Sequence, residues 1–278
     1  MKILFISLGC DKNLADSEEM LGLLTGNGHE IVDSEEEADA IVINTCCFIH
    51  DAKEESVNTI LEMAEYKKTG TCKILIVTGC MAQRYKEEIT EEIPEVDAVL
   101  GTTSYGDIVK ALNEAEAGHV FQEFKDINAL PEDSGRRVIT TGGHFGYLKI
   151  AEGCDKHCTY CIIPSLRGKF RSVPEERLLK QAEYMASQGV RELILVAQET
   201  TVYGTDLYGK KTLHILLKKL CQIKGIRWIR VLYCYPEEIY DELIQVMKEE
   251  KKICHYLDLP IQHASDRILK RMGRRTSK

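Results

Sequence analysis

Three closely spaced cysteines, Cys154, Cys158 and Cys161, follow an apolar segment at Tyr147–Ala151. Thiolates are soft metal ligands, and such a triplet can occupy three corners of a metal site. A structural zinc site needs four ligands, and His157 lies between two of the cysteines, where a chelate would be cramped. The pattern predicts an iron–sulfur cluster with one open iron, and the alternatives are a zinc site or three buried core cysteines.

A second set of cysteines follows predicted strands in the first half of the chain. Cys10, Cys46 and Cys80 each stand just past an apolar segment, the segments being Lys2–Leu8, Ala40–Asn44 and Lys73–Thr78. The carboxyl ends of the strands in an open parallel sheet share one edge, so these thiols are expected to converge there. Free cysteine is also a common small buried residue, and the adjacent Cys47 leaves the choice of ligand open.

Strands and helices alternate through both halves of the sequence, which is typical of parallel sheets covered by helices. The first helix is predicted over Asp16–Leu24, with Ser17 as a plausible N-cap. An irregular segment at 119–143 separates the halves, and we predict domains at residues 1–140 and 141–278. The second half has four β/α units, too few to close an eight-stranded barrel. The predicted class is α/β, an open parallel α/β sheet domain followed by an incomplete β/α barrel.

Composition narrows the functional classes further. The net charge of −8 gives no overall electrostatic attraction for nucleic acid, so we expect no direct nucleic-acid binding by this segment. The apolar start, Met1–Ser7, is too short for a signal peptide, and no apolar run is long enough to span a membrane. We therefore expect a cytoplasmic chain with no membrane partner, in which reduced thiols make the 11 cysteines candidates for metal binding or catalysis.

Both cysteine sets together resemble one family, the methylthiotransferases, which are radical S-adenosylmethionine (SAM) enzymes with a second cluster in an N-terminal domain. The family places its N-terminal cysteines in settings matched here by Gly9-Cys10, Asn44-Thr45-Cys46 and Gly79-Cys80. This resemblance selects Cys46 over Cys47. It also implies that Cys154, Cys158 and Cys161 hold the SAM cluster, and that residues 141–278 are a radical SAM domain.

Other stretches are similar to the branch of the family that modifies a ribosomal protein. These are Asp11-Lys12-Asn13 and the segment from Asp258 to Asp266, which contains Gln262-His263. The resemblance implies two 4Fe–4S clusters, SAM, an electron donor and a sulfur donor. It implies that a 5′-deoxyadenosyl radical takes hydrogen from the β-carbon of an aspartate in the small-subunit ribosomal protein numbered twelve. A methylthio group built on the N-terminal cluster is then transferred to that carbon.

The resemblance also suggests which side chains contact SAM. Tyr160, the aromatic residue before the third cysteine, stands where the family contacts adenine. Gln198 and Glu199 follow the second barrel strand, where radical SAM proteins bind the SAM amino group, and a carboxylate suits an ammonium. Gln262 could reach SAM, and Arg167 could meet the SAM carboxylate or an acidic substrate.

Two family features are expected after Lys278, the last barrel strands and a small β-barrel known as the TRAM domain. We therefore interpret the radical SAM domain as truncated and the TRAM domain as absent. The first alternative function is a tRNA methylthiotransferase acting on a modified adenosine. The second is a non-catalytic iron–sulfur or zinc protein, such as an electron carrier or a scaffold.

Overall fold

Two separate parallel sheets organise the structure, a computed structural model that describes residues 1–133 and 135–278. The chain divides into two compact units, Met1–Val138 and Ile139–Lys278. Ser134, which belongs to the predicted irregular segment, lies outside the described residues. Each unit carries one of the two cysteine sets.

The first unit has a six-stranded parallel sheet with the strand order β2-β1-β3-β4-β5-β6. Its strands are β1 (Lys2–Ser7), β2 (Glu30–Val32), β3 (Ala40–Thr45), β4 (Ile74–Gly79), β5 (Ala98–Leu100) and β6 (Phe121–Glu123). Every residue of β3 and β4 is buried, as expected of central strands that are covered by helices on both faces. The edge strands β2 and β6 have three residues each and carry no clear alternation, so the sequence did not predict them.

The helices of this unit are α1 (Asp11–Gly26), α2 (His50–Thr69), α3 (Cys80–Arg84), α4 (Lys86–Glu92) and α5 (Ile108–Glu116). Single-turn 3-10 helices lie at Glu35–Glu37 and Tyr105–Asp107. The prediction that Ser17 caps the first helix was wrong. Helix α1 begins at Asp11, six residues before Ser17, and its N-cap is Cys10. The Ser17 hydroxyl instead donates to the hydroxyl of Ser7 at the end of β1, at 2.8 Å.

The second unit has a four-stranded parallel sheet with the order β12-β11-β10-β7, and a separate antiparallel pair formed by β8 and β9. Its strands are β7 (Phe145–Lys149), β8 (Ala151–Glu152), β9 (Arg171–Ser172), β10 (Glu192–Val196), β11 (Trp228–Val231) and β12 (Ile253–Leu257). Its helices are α6 (Ile163–Arg167), α7 (Glu175–Ser187), α8 (Thr205–Tyr208), α9 (Leu213–Cys221), α10 (Asp241–Glu249) and α11 (Asp266–Arg271), with a 3-10 turn at Pro236–Glu238.

The four parallel strands of this sheet confirm the predicted fold class, an open parallel sheet followed by four β/α units. Leu148, Leu193, Leu195 and Ile229 on these strands are fully buried. Burial of each such side chain stabilises the folded state by roughly 1.5–3 kcal/mol. The strands are therefore firmly placed, and so are the polar loops that follow them. Within the described residues, no helix combines the length and the apolar character that crossing a membrane requires.

Candidate functional site

The cysteines of the first unit follow three adjacent strands. Cys10 comes after β1, Cys46 follows β3 directly, and Cys80 is the first residue of α3, after β4. Because β1, β3 and β4 lie side by side in the sheet, all three residues stand at its carboxyl edge. Cys46 and Cys80 are buried, whereas Cys10 is exposed at the start of α1.

A glycine brings the first two of these loops into contact. Gly9 has φ +91°, and a Cβ placed on it would lie 2.7 Å from the Cβ of Cys46 and 3.0 Å from its sulfur. Both the backbone conformation and the available space therefore require glycine at this position. The loop that carries Cys10 packs directly against Cys46.

One buried amide then joins all three loops. The Nδ2 of Asn13 donates to the carbonyl oxygens of Leu8 and Thr45, at 3.0 Å each. The Cys80 thiol donates weakly to the Asn13 Oδ1 at 3.9 Å, and Asn44 Nδ2 donates to the Asn13 carbonyl at 2.9 Å. Asn13 is fully buried, so leaving these groups unpaired would cost free energy. Its side chain thus sets the spacing of the loops after β1, β3 and β4.

The neighbouring Cys47 is held differently from Cys46. Its thiol donates to the Cys80 carbonyl at 3.3 Å, and burial, with a smaller effect of Cys80, raises its pKa to about 12. Cys46 is anchored through its backbone, which exchanges two hydrogen bonds with the Ser56 hydroxyl at 3.0 and 2.8 Å. Its sulfur faces Gly9, beside the loop of Cys10. This arrangement favours Cys46 as the ligand, and the assignment stays a prediction.

Three thiolates of the kind that hold an iron–sulfur cluster stand at this sheet edge. Among the described residues, no three histidine, cysteine, aspartate or glutamate side chains are grouped so that they could hold one metal ion together. A 4Fe–4S cube bonds each cysteine through a different iron, so its thiolates need not meet at one point. Three soft thiolates at one sheet edge are compatible with such a cube.

The second cysteine set lies in the loop between β8 and α6. Cys154 and Cys158 are buried and Cys161 is partly buried. Gly153 has φ +74°, and a Cβ placed there would lie 2.5 Å from the carbonyl oxygen of Gly168. The Cys154 amide donates to that same carbonyl at 3.1 Å. The cysteine loop is therefore folded tightly against the segment that follows α6.

This loop forms one wall of a cavity of about 360 Å³. The other lining residues come from the segment between α6 and β9, the loop after β10 with the first residue of α8, the segment around the 3-10 turn, and the segment after α11. The lining residues are Cys154, Asp155, Lys156, His157, Cys158, Phe170, Glu199, Val202, Thr205, Tyr235, Glu237, Gly273, Arg274 and Arg275. Two of the three cysteines thus share a cavity with Glu199, which the sequence singled out.

Glu199 presents a buried carboxylate to this cavity. Its side chain is 1% exposed, and its Oε1 accepts a hydrogen bond from the Thr201 hydroxyl. Among the described residues its Oε2 accepts no hydrogen bond, although the Lys156 ammonium lies 3.6 Å away. Burial, with smaller effects of Glu238 and Glu237, raises the pKa of Glu199 to about 7. An open, buried carboxylate oxygen of this kind suits an ammonium donor.

Gln198 and Arg167 belong to a neighbouring buried cluster around Glu152. Gln198 Nε2 donates to Glu152 Oε1 at 3.0 Å, and Arg167 Nη1 donates to Glu152 Oε2 at 3.2 Å. Lys149 Nζ donates to Glu152 Oε2 at 2.8 Å. Burial alone would raise the pKa of Glu152, but the Lys149 and Arg167 charges hold it well below its ordinary value. In the described part of the chain neither Gln198 nor Arg167 lines the cavity, and their contacts with SAM stay predictions.

Tyr160 and Gln262 are both exposed. Tyr160 is 49% exposed, and burial of its remaining surface together with the nearby Cys158 raises its pKa. Gln262 follows β12 with φ +65°, an uncommon backbone conformation for a residue other than glycine. Neither is among the described residues that line the cavity, so their roles also stay predictions.

Sequence reasoning missed several polar residues of the cavity, among them Lys156, Tyr235 and Arg274. The Tyr235 hydroxyl lies 3.8 Å from the Cys158 sulfur, and its ring lies beneath the Lys156 ammonium, at 5.1 Å, and the Arg274 guanidinium, at 4.1 Å. Lys156 stands inside the cysteine motif, which was a usable signal. Arg274 follows α11 after Gly273, and no spacing rule links it to cysteines more than a hundred residues earlier.

Comparisons with known proteins agree with the two-unit organisation. Residues 2–101 match the model of the Uncharacterized protein family UPF0004, and residues 148–278 match that of the Radical SAM superfamily. Two solved structures have similar folds over 99% of this chain. One is the radical SAM methyltransferase TsrM from Kitasatospora setae (TM-score 0.65, 12% identity, 64% of that chain), and the other is the cobalamin-dependent radical SAM enzyme OxsB (TM-score 0.62, 16% identity, 46% of that chain). Residues 148–278 therefore match the Radical SAM superfamily in sequence, and the fold of the chain is similar to those of two radical SAM enzymes.

Curated relatives narrow this class. The chain is 68% identical to the ribosomal protein uS12 methylthiotransferase RimO of Lachnoclostridium phytofermentans, over 100% of this chain and 63% of that protein. It is 54% identical to RimO of Clostridium botulinum and 53% identical to RimO of Clostridioides difficile, over 62% and 63% of those proteins. These similarities confirm the resemblance to the methylthiotransferase family of radical SAM enzymes that the cysteine motifs indicated. The chain spans a little under two thirds of the length of these relatives.

Proposed function

We propose that this chain is the cluster-binding part of a methylthiotransferase that modifies ribosomal protein uS12. The reaction replaces one hydrogen on the β-carbon of an aspartate with a methylthio group. The observation that carries this proposal is that the chain has two cysteine triplets in separate parallel-sheet units. Cys154 and Cys158 of the second triplet share a cavity with the buried carboxylate of Glu199, whose Oε2 accepts no hydrogen bond among the described residues. The curated relatives, named for uS12 methylthiotransfer, align with the whole of this chain.

The two units have distinct tasks in this proposal. Cys10, Cys46 and Cys80 hold an auxiliary 4Fe–4S cluster in residues 1–140, and Cys154, Cys158 and Cys161 hold the SAM cluster in residues 141–278. When bound, these clusters and SAM supply radical and sulfur chemistry that can replace an unactivated C–H bond, which side chains cannot do.

The chain's own residues hold and orient these groups. Asn13 and Gly9 fix the loops of the first triplet, and Gly153 folds the loop of the second triplet against Gly168. Glu199 offers its open oxygen to the ammonium of SAM. The cavity walls are formed by side chains of the second unit, and they limit the access of water to the reacting atoms.

The reaction requires three partners, which are an electron donor for the SAM cluster, a donor of the transferred sulfur, and uS12 as the substrate. We propose the cytoplasm as the compartment, because it contains ribosomal proteins and keeps thiols reduced for metal binding.

Reconstitution with iron and sulfide under anaerobic conditions, followed by EPR of the reduced protein with and without SAM, tests the cluster assignment. One variant carries Ala at Cys10, Cys46 and Cys80, and a second carries Ala at Cys154, Cys158 and Cys161. A matched control carries Ala at Cys72, Cys221 and Cys254. We expect about eight iron atoms per chain in the wild type and the control, and about four in each triplet variant.

Each triplet variant should lose one EPR signal, and only the signal assigned to the second triplet should shift with SAM. A single signal that depends on the second triplet alone would sink the methylthiotransfer proposal. The substrate is tested by incubating the reconstituted protein with SAM, a reductant, a sulfide source and either uS12 or tRNA. Mass spectrometry should then find one added methylthio group, on an aspartate of uS12.

A further inference from the structure

A buried arginine lines the cavity that contains Cys158 and Glu199. Arg274 is 6% exposed, and its Nη2 donates to the carbonyl oxygen of Pro260 at 3.0 Å. Its Nε and Nη1 are buried and form no hydrogen bond of good geometry among the described residues, and the Cys158 thiol is a close neighbour of the guanidinium. A guanidinium is always charged, and burying its donors without acceptors costs free energy. Arg274 therefore has two donors available to an anion in this cavity.

The position of this guanidinium is fixed by its neighbours. Its central carbon lies 4.1 Å from the ring centroid of Tyr235, a distance typical of cation–π stacking. The segment that carries it is tied to the cysteine loop, because the Thr159 amide donates to the Met272 carbonyl at 3.1 Å. The backbone amide of Arg274 also donates to the Leu269 carbonyl at the end of α11, at 2.9 Å. These backbone and ring contacts thus hold the Arg274 guanidinium beside the loop that carries Cys154, Cys158 and Cys161.

The cavity wall presents two opposite and incompletely paired charges. Glu199 contributes a buried carboxylate oxygen that accepts no hydrogen bond among the described residues, and Arg274 contributes buried donors. The methionyl part of SAM carries an ammonium and a carboxylate on one carbon, so it complements both groups. Arg167, the residue that the sequence suggested for the SAM carboxylate, already pairs with Glu152.

We propose that Arg274 binds the carboxylate of SAM through Nε and Nη1, while Glu199 binds its ammonium. This assignment rests on the proposed function, in which SAM occupies this cavity. Arg274 is a binding residue in this scheme, and no covalent step involves it. Its pairing also explains how a guanidinium can remain buried next to two thiol-bearing loop residues.

Equilibrium dialysis of the reconstituted full chain with two ligands tests this assignment. The ligands are SAM and decarboxylated SAM, which keeps the adenosine, the sulfonium and the amine but lacks the carboxylate. We expect Arg274→Gln to raise the Kd for SAM at least about tenfold, the lower range for a lost charged hydrogen bond. The Kd for decarboxylated SAM should be unchanged. Arg274→Lys should fall between the wild type and Arg274→Gln for SAM.

The matched control is Arg271→Gln, which removes the same charge from an exposed position at the end of α11. It should leave both Kd values unchanged. Iron content and the EPR signal without SAM show whether each variant keeps its cluster. If Arg274→Gln loses its cluster, the comparison of the two ligands is made with Arg274→Lys instead. The assignment would be overturned if Arg274→Gln raised the Kd for both ligands equally, or changed neither Kd. Arg274 would then only support the ring of Tyr235. A wild-type protein that holds its cluster but binds no SAM would instead refute the proposed function, and this assignment with it.

Discussion

At the scale of single residues, the cavity of the second unit is defined by charged groups whose hydrogen bonds are incomplete. Glu199 and Arg274 each keep buried polar atoms that form no hydrogen bond among the described residues, although the Lys156 ammonium lies 3.6 Å from Glu199 Oε2. Folded proteins rarely leave such atoms unpaired, because desolvation costs roughly 1–3 kcal/mol for each group. Nearby Glu152 illustrates the contrast, since Lys149, Arg167 and Gln198 all donate to it. The incomplete pairs therefore mark the place where a ligand is expected.

The raised pKa of Glu199 gives a prediction for the pH dependence of SAM binding. Because its pKa is about 7, Glu199 is mostly neutral at pH 6 and mostly ionised at pH 7.5. If only the ionised form binds the SAM ammonium, affinity should rise with pH and change roughly eightfold between these two values. Equilibrium dialysis of the reconstituted protein across this range measures the effect.

Glu199→Gln should bind SAM more weakly and show little of this pH dependence. Glu249→Gln, at an exposed position in α10, is the control and should behave like the wild type. An unchanged pH profile in Glu199→Gln would show that another group controls the titration.

At the scale of elements, strand ends and tight turns decide where the cysteines lie. The loop after β1 approaches Cys46 only because Gly9 has no side chain, and Asn13 at the start of α1 joins this loop to the loops after β3 and β4. The start of α1 at Asp11 follows from the same arrangement, since Cys10 is the N-cap and Asn13 must lie inside the first turn. The helix is thus part of the framework that positions Cys10, Cys46 and Cys80.

Two glycines of the first unit give a matched test of this framework. Gly9 and Gly28 both have positive φ, +91° and +86°, but a Cβ on Gly28 would meet nothing within 4 Å. Gly28→Ala should lower the free energy of unfolding by about 1 kcal/mol, the cost of the backbone conformation alone. Gly9→Ala adds a clash with Cys46, so we expect a loss of roughly 3 kcal/mol. Urea denaturation of the metal-free protein measures both values.

The same pair should differ in cluster assembly. The EPR signal of the auxiliary cluster should survive in Gly28→Ala and be lost or strongly reduced in Gly9→Ala. Equal behaviour of the two variants would mean that contact between Gly9 and Cys46 does not determine the cluster geometry.

At the scale of the whole molecule, charge bears on the alternative substrate. The net charge is −8, and a tRNA-modifying enzyme needs basic side chains to neutralise phosphates. We therefore expect the chain to bind unmodified tRNA with a Kd weaker than about 100 μM near physiological salt, the weak end of non-specific binding. Filter binding at two salt concentrations, with a basic RNA-binding protein as the positive control, measures this. Tighter binding that weakens as salt rises would favour the tRNA methylthiotransferase.

The sequence by itself determined the chemistry and the class of fold. The spacing of Cys154, Cys158 and Cys161 and the positions of Cys10, Cys46 and Cys80 after strands are local patterns, so they are readable without coordinates. Alternating strands and helices likewise predicted both parallel sheets, because hydrophobic periodicity reflects burial. The three-residue edge strands β2 and β6 were missed, since they are too short to show a period.

Only the tertiary structure decided which charged residues face the cavity. Arg167 and Arg274 look alike in sequence, yet the first pairs with Glu152 and the second lines the cavity beside Tyr235. Likewise, no local pattern showed that Asn13 would join three loops. The physical reason is that a buried charge or amide is stabilised by partners that are near in space and distant in sequence. Those partners are set by the packing of strands and loops, which residue spacing alone does not specify.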